Sequence, residues 1–252
     1  RSVYTLMMCE ISPEELQSCT LPPHVDADRS AGLLSIELFD QDYLDMLCGL
    51  GIPVILVDGY YGSNLRPLKC DSILMENTGS MFSITHHILA SGAKRVGFVG
   101  DIHHCSSFYE RWQGFCDAMQ AAGMPVDPSY CILDSDSSFY GDSQWLEGKV
   151  KGMPNLPDAL VCANDFLALN VMAALKHLGV SIPEQVMVSG FDGTPQSAIV
   201  APSLTTAQIP SSEIGRLAAD LLLARITNPD SPLQRVYVET TPVLRESTAK
   251  RQ

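Results

Sequence analysis

The sequence predicts an α/β fold built on parallel sheet, with helices covering both faces. Two observations carry this. Short β-rich runs alternate with stretches of helical periodicity along the whole chain, the mark of repeated strand–helix–strand units. Runs such as Val54-Ile55-Leu56-Val57 are continuously apolar, as strands buried on both faces must be.

The elements follow in order. Ala31 to Ile36 reads as a short strand, and Asp42 to Leu50 as a helix with Gly51 as its C-cap. Pro53 to Val57 is the next strand. Gly79 to Ala90 reads as a helix stopped by Ser91-Gly92, and Arg95 to Val99 as another buried strand. Trp112, Phe115, Met119 and Ala122 recur at helical spacing until Gly123. Ala159 to Cys162 is a strand. Ala168, Val171, Leu175 and Leu178 form a helical stripe ended by Gly179. Val186 to Ser189 is a strand, Ile214, Leu217 and Leu221 another stripe, and Arg235 to Val238 a last strand. The run Asn228-Pro229-Asp230-Ser231-Pro232 is a turn or short linker.

Composition narrows the function class. The 252 residues are 46% hydrophobic, enough for a sizeable core, yet no window approaches the ~18 consecutive apolar residues of a membrane span. A formal net charge of −13 would be repelled by phosphate backbones, so the chain should not bind nucleic acid by itself. Arg1-Ser2-Val3 leads into an apolar run with no small-residue cleavage site, so no secretory leader is expected. Eight cysteines form no C-x-x-C pair, and Cys9, Cys48, Cys116, Cys131 and Cys162 sit in apolar or amphipathic runs where a small buried hydrophobe belongs. A reduced, cytoplasmic protein is expected.

In open sheets of this kind ligands bind beyond the carboxyl ends of the strands. Three strand ends carry polar residues: Val161-Cys162-Ala163 runs into Asn164-Asp165, Gly190-Phe191 into Asp192-Gly193, and Leu56-Val57 into Asp58-Gly59. Arg111 follows at the start of the helix after the Arg95–Val99 strand. Carboxylates accept from adjacent hydroxyls, an amide donates and accepts, and a guanidinium donates two parallel bonds, the mixture that sugar recognition uses. Plainer roles stay open: Asp165 as the N-cap of the helix it precedes, Asp192 and Asp58 as turn residues, and Arg111 as a residue of a helix surface.

The run Pro157-Asp158-Ala159-Leu160-Val161-Cys162-Ala163-Asn164-Asp165 followed by Ala168-Leu169 resembles a hallmark of the LacI/GalR repressor family. So do Gly179-Val180-Ser181-Ile182-Pro183-Glu184-Gln185-Val186 leading to Gly190-Phe191-Asp192, and Pro202-Ser203-Leu204-Thr205-Thr206 with Gly215 and Ala218 after it. Gly92-Ala93-Lys94-Arg95-Val96-Gly97-Phe98-Val99-Gly100, Arg111-Trp112-Gln113-Gly114-Phe115 and Leu244-Arg245-Glu246-Ser247-Thr248 complete the set, which spans Gly51 to Thr248 in order.

The resemblance implies two Rossmann-like lobes with parallel sheets joined by crossovers, as in type I periplasmic binding proteins, with a small effector held between them. Residues 1–76 and 208–233 would form the first lobe, and 77–207 and 234–252 the second. It implies effector contacts from Arg111, Asn164, Asp165, Asp192 and Asp58, and from Ser107, four residues before the arginine. An aromatic ahead of the helix near Gln144, Phe139 or Tyr140, would stack on a sugar face, and Gln208 would reach the ligand from a crossover. No cofactor and no metal is implied. The expected partners are a small effector, a sugar ahead of a nucleobase, and a second copy of the chain, with operator DNA reached only through an N-terminal helix-turn-helix domain absent from this chain.

Two positions depart from the pattern: Gly193 stands where a second aspartate is usual, and Asn170 where glycine is. Ser2 to Cys9 reads as the family's second strand, so the first strand is missing; a shortened chain or an omitted segment is favoured over a divergent member. A secreted sugar-binding protein feeding a transporter is the alternative reading. An enzyme has no nucleophile–base pair behind it, and His86-His87 and His103-His104 lack ligand spacing for a metal, although a histidine of the second pair could line the pocket.

Overall fold

A computed structural model describes residues 4–135 and 137–249. The strands are β1 (Leu33–Ile36), β2 (Val54–Val57), β3 (Asp71–Met75), β4 (Val96–Val99), β5 (Ala159–Cys162), β6 (Met187–Ser189), β7 (Thr206–Gln208), β8 (Arg235–Val238) and β9 (Thr241–Val243). The helices are α1 (Pro13–Ser18), α2 (Gln41–Cys48), α3 (Thr78–Ala90), α4 (Ser106–Ala121), α5 (Ser143–Lys151), α6 (Asp165–His177), α7 (Pro195–Ile199) and α8 (Ser211–Thr227). The α/β reading with parallel sheet therefore stands. The chain divides into two compact units, residues 1–74 with 211–238, and residues 75–210 with 239–252.

The first unit holds a four-stranded sheet in the order β1-β2-β3-β8, with β1, β2 and β3 parallel and Leu33 opposite Val54. Both β2 and β3 are buried along their full length, as the continuous apolar run of β2 predicts for that strand. Strand β3 was not anticipated, because it opens on Asp71-Ser72. Asp71 is wholly buried, and what makes that tolerable is far away in sequence. Arg225 of α8 donates from Nε to Asp71 Oδ2 at 2.8 Å and from Nη2 to Oδ1 at 2.9 Å. The remaining donors of Arg225 bind the carbonyls of Pro229, Ser231 and Pro232, so the predicted turn wraps around its guanidinium. Asp71 Oδ1 also accepts from the Gln234 amide at 2.7 Å.

The second unit is built on β4-β5-β6, all parallel, with Val96 opposite Ala159 and Ala159 opposite Met187. Antiparallel β7 and β9 complete it. Its core gathers Phe98, Phe115, Leu160, Val161, Leu175 and Met187, all buried. A Cβ on Gly114 would fall 2.2 Å from the Thr78 carbonyl oxygen, so glycine lets α4 lie against the backbone of α3. Asp158 pins the start of β5 to that of β4: its Oδ2 accepts from the Lys94 and Arg95 amides, both at 2.9 Å, and Oδ1 from the Arg95 side chain at 2.8 Å.

Several expectations are corrected. Tyr4 to Cys9 is not a strand, since among the described residues no sheet includes it; Ser2 and Val3 lie outside the described residues. Helix α2 is capped by Gly49, while Gly51, at φ 78°, follows in the turn. The buried face of α8 is Ile214, Ala218 and Arg225, with Leu217 and Leu221 at its margin. Strand β8, assigned from sequence to the second lobe, is the edge of the first unit's sheet. Cys9 is exposed, whereas Cys70, Cys105 and Cys162 are buried. Among the described residues no helix is long and apolar enough to cross a membrane.

Breaking the Arg225–Asp71 pair strands a buried charge, so Arg225→Met should cost about 3–5 kcal/mol of unfolding free energy, read by urea titration. The double variant with Asp71→Leu should recover part of the loss. Asp158 gives an acid signature. Burial opposes ionisation there, but the Arg95 side chain and two amides prevail and hold the carboxyl at about 2, below its ordinary 3.8. A depressed folded pKa contributes stability above the unfolded value that disappears as pH falls through the folded one. Asp158→Asn should therefore flatten the loss of stability between about pH 4 and pH 2.

Candidate functional site

The loop after β4 delivers the chain to α4, whose inward stripe is Ser107, Arg111, Gly114, Phe115 and Ala118. Arg111, in the second turn of the helix, is only 3% exposed. Its Nε donates to Asn77 Oδ1 at 2.9 Å, and its Nη1 to the Ala163 carbonyl at 2.8 Å and to Asp192 Oδ1 at 3.1 Å. The guanidinium lies 3.9 Å over the Phe191 ring, with Phe108 at 5.8 Å. Nη2 makes no hydrogen bond among the described residues. Asn77 is itself fixed by donating to the Met75 carbonyl at 2.9 Å and to Glu110 Oε2 at 2.8 Å.

Asp192 has φ 120°, a region that favours glycine. Two hydrogen bonds hold it there: its amide donates to the Ala207 carbonyl at 2.9 Å, and its carbonyl accepts from Ile209 at 3.2 Å. Its side chain stays 29% exposed beside the buried Arg111. Gly193, the departure noted in the sequence, has φ 71°, and a Cβ there would fall 2.5 Å from Gln208 Oε1. Gln208 bridges to Asp192 through the backbone and donates from Nε2 to the Ile209 carbonyl at 3.1 Å.

The Asn164-Asp165 pair divides its labour differently from the sequence reading. Asn164 is the N-cap of α6: its Oδ1 accepts from the Leu167 amide at 2.9 Å. Its half-buried Nδ2 makes no hydrogen bond among the described residues. Asp165 is wholly buried and consumed inside the protein. Oδ1 accepts from the Thr206 hydroxyl at 2.6 Å, and Oδ2 from the Thr194 amide and hydroxyl at 2.8 and 3.0 Å. It is neither the cap nor a group with room for a ligand.

Tyr140 is corrected on the same ground. It is buried, its hydroxyl meets the carbonyls of Ile132 and Asp134, and burial pushes its pKa up. Phe139, by contrast, is 45% exposed and stacked on Trp145, with ring centroids 5.7 Å apart. Phe166, 57% exposed, was missed; it follows the Asn-Asp pair directly and reaches within 3.6 Å of where a Gly141 Cβ would stand. Asn77, Phe108 and Phe191 were missed too, since nothing local marks them as neighbours of Arg111. Ser107 is buried one helical turn before Arg111, and the His104 ring lies 5.3 Å from that of Phe108. Asp58 belongs to the first unit, where it ends β2 at φ 61° with its Oδ1 accepting from Gly59 at 2.7 Å.

Residues 85–248 match the family described as periplasmic binding protein-like domain. The chain belongs to that family. Among its relatives is the transcriptional repressor PurR of Haemophilus influenzae, 28% identical over 97% of this chain and 71% of the relative. The ribose operon repressor of the same organism is 27% identical over 81% of this chain and 59% of its own length. Of solved structures, a complex of the transcriptional regulator CelR with cellobiose superposes with a TM-score of 0.76 at 25% identity, covering 87% of this chain and 66% of CelR. The periplasmic binding protein-like relatives are thus repressors of the LacI kind, and the chain corresponds to their effector-binding part.

Losing the Asp165 carboxylate would leave the Thr206 and Thr194 donors unpaired in the interior. Asp165→Ala should destabilise the protein by about 3 kcal/mol, measured by chemical denaturation.

Proposed function

We propose that this chain is the sensor of a LacI-type transcription repressor and that the strand ends of its second unit bind a neutral sugar or similar polyol. The observation that carries this is the set of polar atoms around Arg111. Its Nη2 and the Asn164 Nδ2 make no hydrogen bond among the described residues, and the Asp192 carboxylate bound to Arg111 is partly open to solvent. Donors next to an acceptor match vicinal hydroxyls, whereas a phosphosugar would call for more cations. Phe139 and Phe166 offer exposed rings of the kind that cover a sugar face. The name of the ribose operon repressor and the cellobiose bound to CelR support the same substrate class. A nucleobase is the second reading, favoured by the flatness of those two rings.

In this reading the chain is not an enzyme and works in the cytoplasm as a homodimer. Its charge of −13 leaves operator contact to a separate basic domain. The effector acts by its differential affinity for two conformations of the sensor.

A thermal-shift screen of sugars and nucleosides should give a stabilising sugar. Calorimetry with that sugar should then show binding weakened about tenfold or more by Asp192→Asn and by Arg111→Lys, since each removes a charge-assisted contact. Unchanged affinity in folded variants would remove these residues from the site; stabilisation by nucleosides alone would select the second reading.

A further inference from the structure

Glu110 stands next to Arg111 on α4, yet no motif marks it. Adjacent residues of a helix point about 100° apart, so Glu110 is not on the inward stripe that carries Arg111. It is half-buried and turned toward the start of α3. Its Oε2 accepts from Asn77 Nδ2 at 2.8 Å, and its carbonyl accepts from the Thr78 hydroxyl at 3.4 Å. One residue of α4 is thus tied to two consecutive residues that follow β3.

The neighbours of Asn77 decide which way its amide faces. An amide turned end for end keeps its shape but exchanges donors for an acceptor. Nδ2 meets two groups that only accept, the Met75 carbonyl at 2.9 Å and the Glu110 carboxylate at 2.8 Å. Oδ1 meets Arg111 Nε, which only donates, at 2.9 Å. The reversed amide would set oxygen against two acceptors and nitrogen against a donor, all within a side chain that is 2% exposed. The Met75 carbonyl is two residues away on the same backbone; Glu110 brings a charged acceptor from another helix, and bonds to charged groups are the stronger kind. A guanidinium is planar and rigid. Bonds at Nε and at Nη1 therefore fix the direction of Nη2 as well.

We propose that Glu110 is a positioning residue: acting through the Asn77 amide, it sets the orientation in which Arg111 presents Nη2 to an effector. The role requires no contact between Glu110 and the effector. It requires an acceptor at position 110, which keeps the Asn77 oxygen on Arg111 Nε. Without that acceptor the amide has one fewer reason to hold its direction, and the guanidinium plane loosens. The consequence for binding rests on the sugar reading given above; the orientation of Arg111 does not.

The test reads the Arg111 Nε–H group of the full chain by nitrogen-15 NMR, without any effector. Arg111→Lys identifies its cross-peak by removing it. A hydrogen-bonded N–H exchanges slowly with solvent. Glu110→Ala should move the peak and speed its exchange about tenfold or more, while Glu110→Gln, whose amide oxygen can still accept from Asn77, should keep both near the wild-type values. Calorimetry with ribose and with cellobiose is the second arm. Glu110→Ala should weaken binding about tenfold, and Glu110→Gln by less than about threefold. An unmoved Nε–H peak in folded Glu110→Ala overturns the proposal. So does unchanged affinity of that variant for a sugar the wild type binds, or a glutamine variant as disturbed as the alanine one. The expected NMR pattern in a wild-type chain that binds neither sugar supports the orienting role and counts against the sugar reading alone.

Discussion

A guanidinium taken out of water is the constraint around which the second unit is arranged. Arg111 cannot shed its charge, and an unpaired cation in the interior would cost several kcal/mol. The chain answers with the Asn77 amide, the Ala163 carbonyl and the Asp192 carboxylate. These follow β3, β5 and β6 respectively, so satisfying one cation fixes the ends of three segments that are distant in sequence. Phe191 covers the face of the ion. Asp192 reaches it only because Ala207 and Ile209 hold its backbone in a disfavoured region. Charge and strain belong to one knot, and the polar atoms the knot leaves over are the ones proposed to meet a ligand.

The first unit contains a second buried arginine, and the contrast is instructive. Arg225 spends its donors on Asp71 and on three carbonyls of the turn after α8. Nothing remains for an outside molecule, so the pair holds the helix and turn to the sheet. Arg111 is also buried, but among the described residues its Nη2 makes no hydrogen bond. Counting donors, rather than noting burial or charge, separates the structural arginine from the candidate for recognition.

Much of this was legible in the sequence, and the exceptions share a cause. β4, β5 and β6 announce themselves as apolar runs, and the polar residues after them mark the end of the sheet where Arg111, Asn164 and Asp192 gather. β3 was hidden because Asp71 looks wrong for a buried strand until Arg225, 154 residues away, is beside it. Asn164 caps α6 in place of Asp165, since either side chain can cap a helix and only the positions of Thr194 and Thr206 decide. Phe139 and Tyr140 differ for the same reason: the carbonyls that draw Tyr140 inward become its neighbours only on folding. Tyr4 to Cys9 has the composition of a strand, but composition supplies no partner. Periodicity reports which face of an element is apolar; long-range polar pairing has no local mark.

The positive φ of Asp192 also bears on how such a sensor can change over evolutionary time. Few side chains tolerate that backbone, and Arg111 asks that the one present be an anion. The position is therefore almost closed to drift: a lineage acquiring a new effector would keep this aspartate and its arginine. Phe139 and Phe166 are under no comparable demand, because their exposed rings stand on ordinary backbone. In the proposed site the strained residue would make the fixed half of the recognition surface, and ligand preference would diversify in the unstrained half.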